Sequence, residues 1–307
     1  MTRYETGDVP VRGGSLRVGT WSAGGPARRV VLAVHGITSS HRAWPLVAER
    51  VASAPGTLFV APDLRGRGRS ADLPGPYGMA AHAEDLVAVL DRLAPGRPAV
   101  VAGHSMGGFV AVALAARRPD LVAGLVLVDG GIPLELPPGW TLAAAAEAGL
   151  GPAAARLSMT FADREDYRDF WRAHPAFAEF SAVVRDYVDY DLRPGGPPWR
   201  CSCVAEAMYA DHAEQFAGGP VDRAWAAVAA PVTFLRASRG LLDEPGGLYP
   251  EPAVSRWLAA HPGVHRVEVP GVNHYTITLG AAGAARTAAA LTAALDRSAR
   301  PAVAAPD

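Results

Sequence analysis

The chain has no lysine: all 29 basic side chains are arginine, set against 30 carboxylates for a formal net charge of −1. Without an excess of positive charge there is no electrostatic footprint for nucleic acid or an anionic membrane, so neither is expected as a partner. Arginine throughout reads as GC-rich codon usage rather than a demand for guanidinium chemistry. Cysteine is nearly missing too. Cys201 and Cys203 are the two, with one residue between them. A disulfide across so short a loop is strained, and no second Cys or His cluster completes a metal-ligand spacing. Free thiols and no metal are expected. Also lacking is an apolar run of the roughly 18 residues that a membrane-spanning helix needs. The opening Met1-Thr2-Arg3-Tyr4-Glu5 has no apolar h-region, so no signal peptide is expected and a cytoplasmic location is.

What is present is apolar and long. Half of the 307 residues are hydrophobic, which suits one large α/β core with an insertion better than two separate domains. Short β-branched runs alternate with amphipathic segments, as in βα units around a mainly parallel sheet. Strands are expected over 15–21, 30–35, 58–61, 99–102, 124–128, 232–235 and 266–269. Helices are expected over 44–53, 79–93, 108–117, 252–260 and 281–297. The Ala- and Pro-rich tail, 298–307, is expected to fray.

The alternation breaks once. Residues 133–228 contain no good parallel-strand candidate and read as several short helices punctuated by Pro137-Pro138, Pro175 and Pro194-Gly195-Gly196-Pro197-Pro198. This insertion separates two stretches of core, 1–132 and 229–297. It holds 13 of the chain's aromatic residues, which number 7 Trp, 8 Tyr and 8 Phe. An aromatic-rich helical insertion above a strand-end crevice suits a lid over an apolar ligand. Most of these rings are expected to glue the insertion together. A few, with Trp140, Phe161, Trp171 and Tyr187 as candidates, are expected to face a pocket.

Gly103-His104-Ser105-Met106-Gly107 carries the chemistry. It follows an apolar strand candidate and opens a helix, the context of a nucleophile elbow. Flanking glycines are needed there because a Cβ would collide with the neighbouring strand and helix. A serine hydroxyl attacks poorly unless a base takes its proton. His274, in Gly271-Val272-Asn273-His274-Tyr275 after the last strand candidate, is the base expected to project over the same sheet edge. His35-Gly36-Ile37 follows an earlier strand candidate. The main-chain N–H of Ile37, with that of Met106, would form an oxyanion hole, and Gly36 would let the backbone approach. His35 and His104 read as structural. Gly36, Ile37, Trp44, Met106 and Phe109 are expected along the pocket floor.

With these residues in place the chain resembles the α/β-hydrolase superfamily over essentially its whole length. His35-Gly36, the loop Asp63-Leu64-Arg65-Gly66-Arg67-Gly68-Arg69-Ser70, the elbow and Asn273-His274 carry the resemblance. It implies an α/β-hydrolase fold: a mostly parallel eight-stranded sheet flanked by helices, with a helical lid after the sixth strand. The Asp63–Ser70 loop looks architectural. Many members carry the triad acid after the strand that follows the lid, but that position here aligns with Gly240, and Asp243 comes about three residues late. Other members carry it at the end of the strand before the lid. Asp129 lies there, 24 residues past Ser105, and is ranked ahead of Asp243. The implied activity is serine hydrolysis of a carboxylic ester or lactone with a largely apolar part, without a cofactor. C–C bond hydrolysis of a diketone, thioester hydrolysis, acyl transfer and a ligand-binding receptor that keeps the triad remain open. Cofactor-free lyase or peroxidation chemistry ranks lower. A small molecule is the expected partner, with the chain a monomer or homodimer. Arg185 or Arg193 could meet a substrate carboxylate, although solvation is the expected fate of each.

Overall fold

A computed structural model describes residues 2–299. Its strands are β1 (Arg3–Val11), β2 (Gly14–Ser22), β3 (Arg29–Val34), β4 (Thr57–Pro62), β5 (Ala99–His104), β6 (Val122–Val128), β7 (Val232–Ala237) and β8 (Val264–Val269). They form one sheet in the order β1-β2-β4-β3-β5-β6-β7-β8. β1 pairs antiparallel with β2, and β2 with β4; the remaining pairings are parallel.

Helices cover both faces, which is why the central strands are apolar at every position rather than at alternate ones. Val30, Leu32 and Val34 of β3 pack with Val101, Leu125 and Leu127 against α2 (Met79–Leu93) and α3 (Met106–Arg117). Val31 and Ala33 pack with Val100, Ala102 and Val126 toward α1 (Pro45–Ala52) and α11 (Ala281–Ser298) on the other face. Successive residues of one strand thus feed two cores, as the period of two requires.

β1 is the strand absent from the sequence expectation. Of its nine residues only Val9 is buried, so no hydrophobic alternation marks it. It is held by nine-residue register with β2 at the sheet edge. α3 starts at Met106, two residues earlier than expected, so the helix begins directly after Ser105. The other expected strands and helices stand within about two residues of their bounds. The expected fraying tail lies, beyond Ala299, outside the described residues, and Ser298 still belongs to α11.

Between β6 and β7 the chain forms α4 (Leu142–Ser158), α5 (Arg164–Arg172), α6 (Ala182–Asp191), α7 (Ala205–Ala213) and α8 (Pro220–Trp225). Thr141, Asp163 and Ser181 cap the first three, each side chain accepting an N–H of the first turn. After β7 come α9 (Glu251–Ala260) and α10 (Thr276–Leu279). The arginine-rich loop after β4 ties this insertion to the sheet. Arg67 meets Asp211 of α7 at 2.6 Å with both side chains fully buried, and the Tyr190 hydroxyl donates to Asp63 at 2.7 Å. Arg65 grips Asp85 of α2 through two bonds. The loop's charges are therefore consumed by packing, in keeping with an architectural role. Cys201 and Cys203 are free and buried, and burial pushes the Cys201 thiol up to about 12. Among the described residues no helix is long and apolar enough to cross a membrane.

Candidate active site

Ser105 sits between β5 and α3 with φ 54° and ψ −126°, a conformation a non-glycine residue holds only where its surroundings impose it. The surroundings are backbone. A Cβ on Gly103 would fall on the Gly107 carbonyl, one on Gly107 on the Val34 carbonyl, and one on Gly130 on the Ser105 carbonyl. The Ser105 N–H donates to the Val128 carbonyl at 3.0 Å, which pins the turn to β6. The glycines around the serine are thus required by space, because β3, β5, β6 and α3 converge there.

His274, buried in the loop between β8 and α10, donates from Nδ1 to Asp129 Oδ2 at 2.7 Å. Asp129 follows β6, has φ 48° and is fully buried. Its other oxygen accepts the Ala237 N–H at 3.1 Å, and its own N–H donates to the Leu235 carbonyl. With the proton held on Nδ1, the Nε2 lone pair of His274 is free to accept another. His104 Nε2–H donates to the His274 carbonyl at 2.8 Å, and the two rings lie 4.7 Å apart. Burial drives the His104 ring down to about 3, so it stays neutral and serves as a prop. Asp243 faces elsewhere: it pairs with Arg239 at 2.8 Å and accepts from Asn273 Nδ2 at 3.0 Å. At Gly240, the space a side chain would enter is occupied by the Glu244 carboxylate, which accepts the Leu242 N–H.

Two main-chain donors complete the arrangement. The N–H groups of Ile37 and Met106 find no acceptor among the described residues, and Met106 N–H is one of the donors that the start of a helix leaves open. Gly36 lies against Ser105; a Cβ there would stand 3.1 Å from the Ser105 Cβ. His35 holds this loop by accepting the Leu64 N–H on Nε2 and donating from Nδ1 to the Gly36 carbonyl, its ring lowered to about 4 by burial. Arg67 Nε donates to the Ile37 carbonyl at 2.9 Å.

Ser105 and His274 both line a cavity of ≈ 830 Å³ between the sheet edge and the insertion, within the usual range for a small-molecule site. No hydrogen bond joins the Ser105 hydroxyl to His274 among the described residues; such bonds often tighten only when substrate is bound. Gly36, Ile37, Trp140, Trp171 and Tyr187 line the cavity as expected. Four expected liners do not. Trp44, fully buried, packs beneath the sheet edge against Phe59 and His104. Phe109 faces the α2–α3 core from α3. Phe161 is held inside the insertion by Tyr167 and Phe170. The Met106 side chain is also buried off the cavity, beside Arg67. Arg156, His174 and Tyr275, none of them expected from the sequence, also line it. Tyr275 is next to His274 and could have been found there; Arg156, in an alanine-rich helix, carried no local signal. Arg185 and Arg193 lie outside the cavity lining.

An eight-stranded, mostly parallel sheet with a strained serine on its central strand-to-helix turn, and a buried His–Asp pair over the same edge, defines an α/β fold of the hydrolase type. A family model described as "Alpha/beta hydrolase family" matches residues 30–290. The chain belongs to that family. Over 120 residues it is 44% identical to the lipase LipV of Mycobacterium tuberculosis, covering 39% of this chain and 43% of that protein. Over 120 residues it is 41% identical to an esterase of the same organism, covering 39% of this chain and 38% of that one. These matches therefore span less than half the length of either relative. Among solved structures, E-2-(acetamidomethylene)succinate hydrolase superposes with a TM-score of 0.76 at 24% identity, covering 96% of this chain and all of that one. The thioesterase domain from the curacin biosynthetic pathway gives 0.73 at 22% identity, covering 94% and 99%. At such identities the likeness concerns the fold.

Proposed function

We propose that the chain is a serine hydrolase that cleaves a carboxylic ester or lactone of a largely apolar small molecule through an acyl-enzyme on Ser105. The observation that carries this reading is the 2.7 Å bond from His274 Nδ1 to the buried carboxylate of Asp129, with His274 and Ser105 lining one cavity. That bond fixes the tautomer in which Nε2 accepts the serine proton and stabilises the imidazolium that results. Ser105 Oγ attacks the acyl carbon as its proton passes to His274. The oxyanion that develops is met by the N–H groups of Ile37 and Met106. Collapse of the tetrahedral intermediate expels the alcohol, protonated by His274, and leaves the acyl group on Ser105. Water, activated by the same histidine, then releases the acid.

The names of the two mycobacterial relatives, lipase and esterase, support an ester as the substrate. The aromatic residues Trp140, Trp171, Tyr187 and Tyr275 along the cavity support an apolar one. The test is a panel of p-nitrophenyl esters and lactones of graded length, with a fluorophosphonate probe as control. Turnover of esters together with labelling that disappears in Ser105→Ala is the expected result. A chain that labels at Ser105 yet turns over no ester or lactone would refute the ester reading.

A further inference from the structure

Resting on the proposed hydrolase reading, we infer that Arg156 makes the insertion side of the cavity a carboxylate subsite, so that the preferred substrate is an ester bearing a free carboxylate. Arg156 is the one arginine among the residues that line the cavity, and it is 4% exposed. A guanidinium so buried is costly unless it is paired. Nη1 is indeed paired, with the Asp191 carboxylate and the Tyr167 hydroxyl. Nε and Nη2 have no acceptor among the described residues, although their residue borders the cavity. Asp191 meanwhile divides its charge between Arg156, the Tyr167 hydroxyl and the Ser202 hydroxyl.

The Arg156 guanidinium stands 5.2 Å from the Trp171 ring centre, and the buried indole N–H of Trp171 has no partner. Trp171 in turn meets Tyr275 at 6.0 Å, and Tyr275 meets His274 at 5.9 Å. The cation therefore sits two aromatic rings from the proposed base, with apolar surface between them. Burial and then the Arg156 charge hold His174, also in the lining, below its ordinary value, so that this ring stays neutral beside the arginine. The carboxylates in the lining offer no rival partner: Glu135 is paired with Arg256, and Glu244 accepts the Leu242 N–H. A fork of donors at one end, an aromatic midsection and a serine at the other suit a half-ester of a dicarboxylic acid.

The test measures binding to Ser105→Ala, which keeps the cavity and removes turnover. Monomethyl esters of straight-chain diacids from succinate to sebacate are titrated calorimetrically against their dimethyl counterparts. At the favoured length the monoester is expected to bind at least tenfold tighter. Adding R156Q with D191N, which removes the cation without stranding its carboxylate, should erase the preference in a protein that still melts cooperatively. R156K, which retains charge but not the planar fork, should reduce it severalfold and serves if the double change does not fold. No preference at any length, or a preference unchanged in these variants, overturns the subsite. The two readings separate cleanly. Preferential binding in a protein whose wild type hydrolyses no ester overturns the hydrolase reading alone, and hydrolysis without preferential binding overturns the subsite alone.

Discussion

Replacing Asp129 with asparagine isolates what the carboxylate does, because the site decides which way the new amide must face. One Asp129 oxygen accepts the Ala237 N–H, and the other accepts Nδ1–H of His274. In Asp129→Asn the amide oxygen must stay on Ala237, since an NH₂ there would meet another donor. The NH₂ then faces His274 Nδ1 and forces the proton onto Nε2, the atom that must accept the serine proton. The fold keeps its shape, the base has the wrong tautomer, and the imidazolium loses its counter-charge. An asparagine substitution acting through the tautomer in this way costs about ten-thousand-fold in kcat, or about 5.4 kcal/mol at 1.36 kcal/mol per decade. Stability should change by only about 1–3 kcal/mol, the range for a lost charge-assisted bond. The assay is kcat on a p-nitrophenyl ester, with active sites counted by fluorophosphonate labelling, next to Asp243→Asn. Asp243 is partnered by Arg239 and Asn273, so its variant should retain activity within about twofold. An Asp129→Asn variant that keeps more than a tenth of wild-type kcat, next to an inactive Asp243→Asn, would refute Asp129 as the acid.

Three further outcomes follow from the packing and charge. Gly107→Ala sets a Cβ on the Val34 carbonyl, backbone that cannot yield, and should cost about 3 kcal/mol or more; the check is Tm, with Gly7→Ala, which meets nothing within 4 Å, expected to leave it unchanged or higher. His35 and His104 are depressed to about 4 and about 3 by burial, so below about pH 6.5 the unfolded chain binds protons that the folded chain refuses. Stability should therefore fall as pH drops from about 6.5 toward 4, by up to about 1.36 kcal/mol per unit for each ring, and a melting profile flat across that range would contradict it. Arg67→Met strips Asp211 of its buried cation and the Ile37 carbonyl of its donor; a loss of about 3 kcal/mol or more in stability is expected with a fall in kcat, and adding Asp211→Asn should recover stability but not kcat.

What could be read from the sequence divides along one physical line. The central strands, α3 and the Ser105 turn are specified by residues next to one another: an apolar run, a strained turn between glycines, a helix. His274 was legible for the same reason, since its loop joins a strand to a helix at a known edge of the sheet. Asp129 and Asp243 could be ranked but not separated, because the bond that distinguishes them spans 145 residues and depends on how β6, β7 and β8 stack. β1 was invisible because an exposed edge strand needs no hydrophobic face; its register with β2 is set by backbone bonds. Trp44 and Phe109 misled for a related reason. Both are close to the site along the chain, but Trp44, just before α1, and Phe109, in α3, turn their side chains into the cores instead.

The same division covers the cations of the insertion: Arg185 and Arg193 are the two the sequence offers, with solvation the expected fate of each, whereas Arg156 is the one that lines the cavity. The first two lie among the aromatic residues that mark the insertion, yet their partners are exposed aspartates, Asp186 and Asp72. Exposed pairs of this kind contribute little and say little about a ligand. Arg156 lies in a stretch of alanine, where nothing nearby in sequence speaks for it. What makes it informative is a carboxylate 35 residues away that buries one of its nitrogens and leaves others without a partner beside a cavity. A buried charge only half satisfied by its own chain is unfavourable in an empty site. It becomes favourable when an anion supplies the missing acceptors, so the unpaired donors of Arg156 say more about the substrate than the apolar surface around them. Apolar lining would admit many esters; a guanidinium with unpaired N–H donors selects among them.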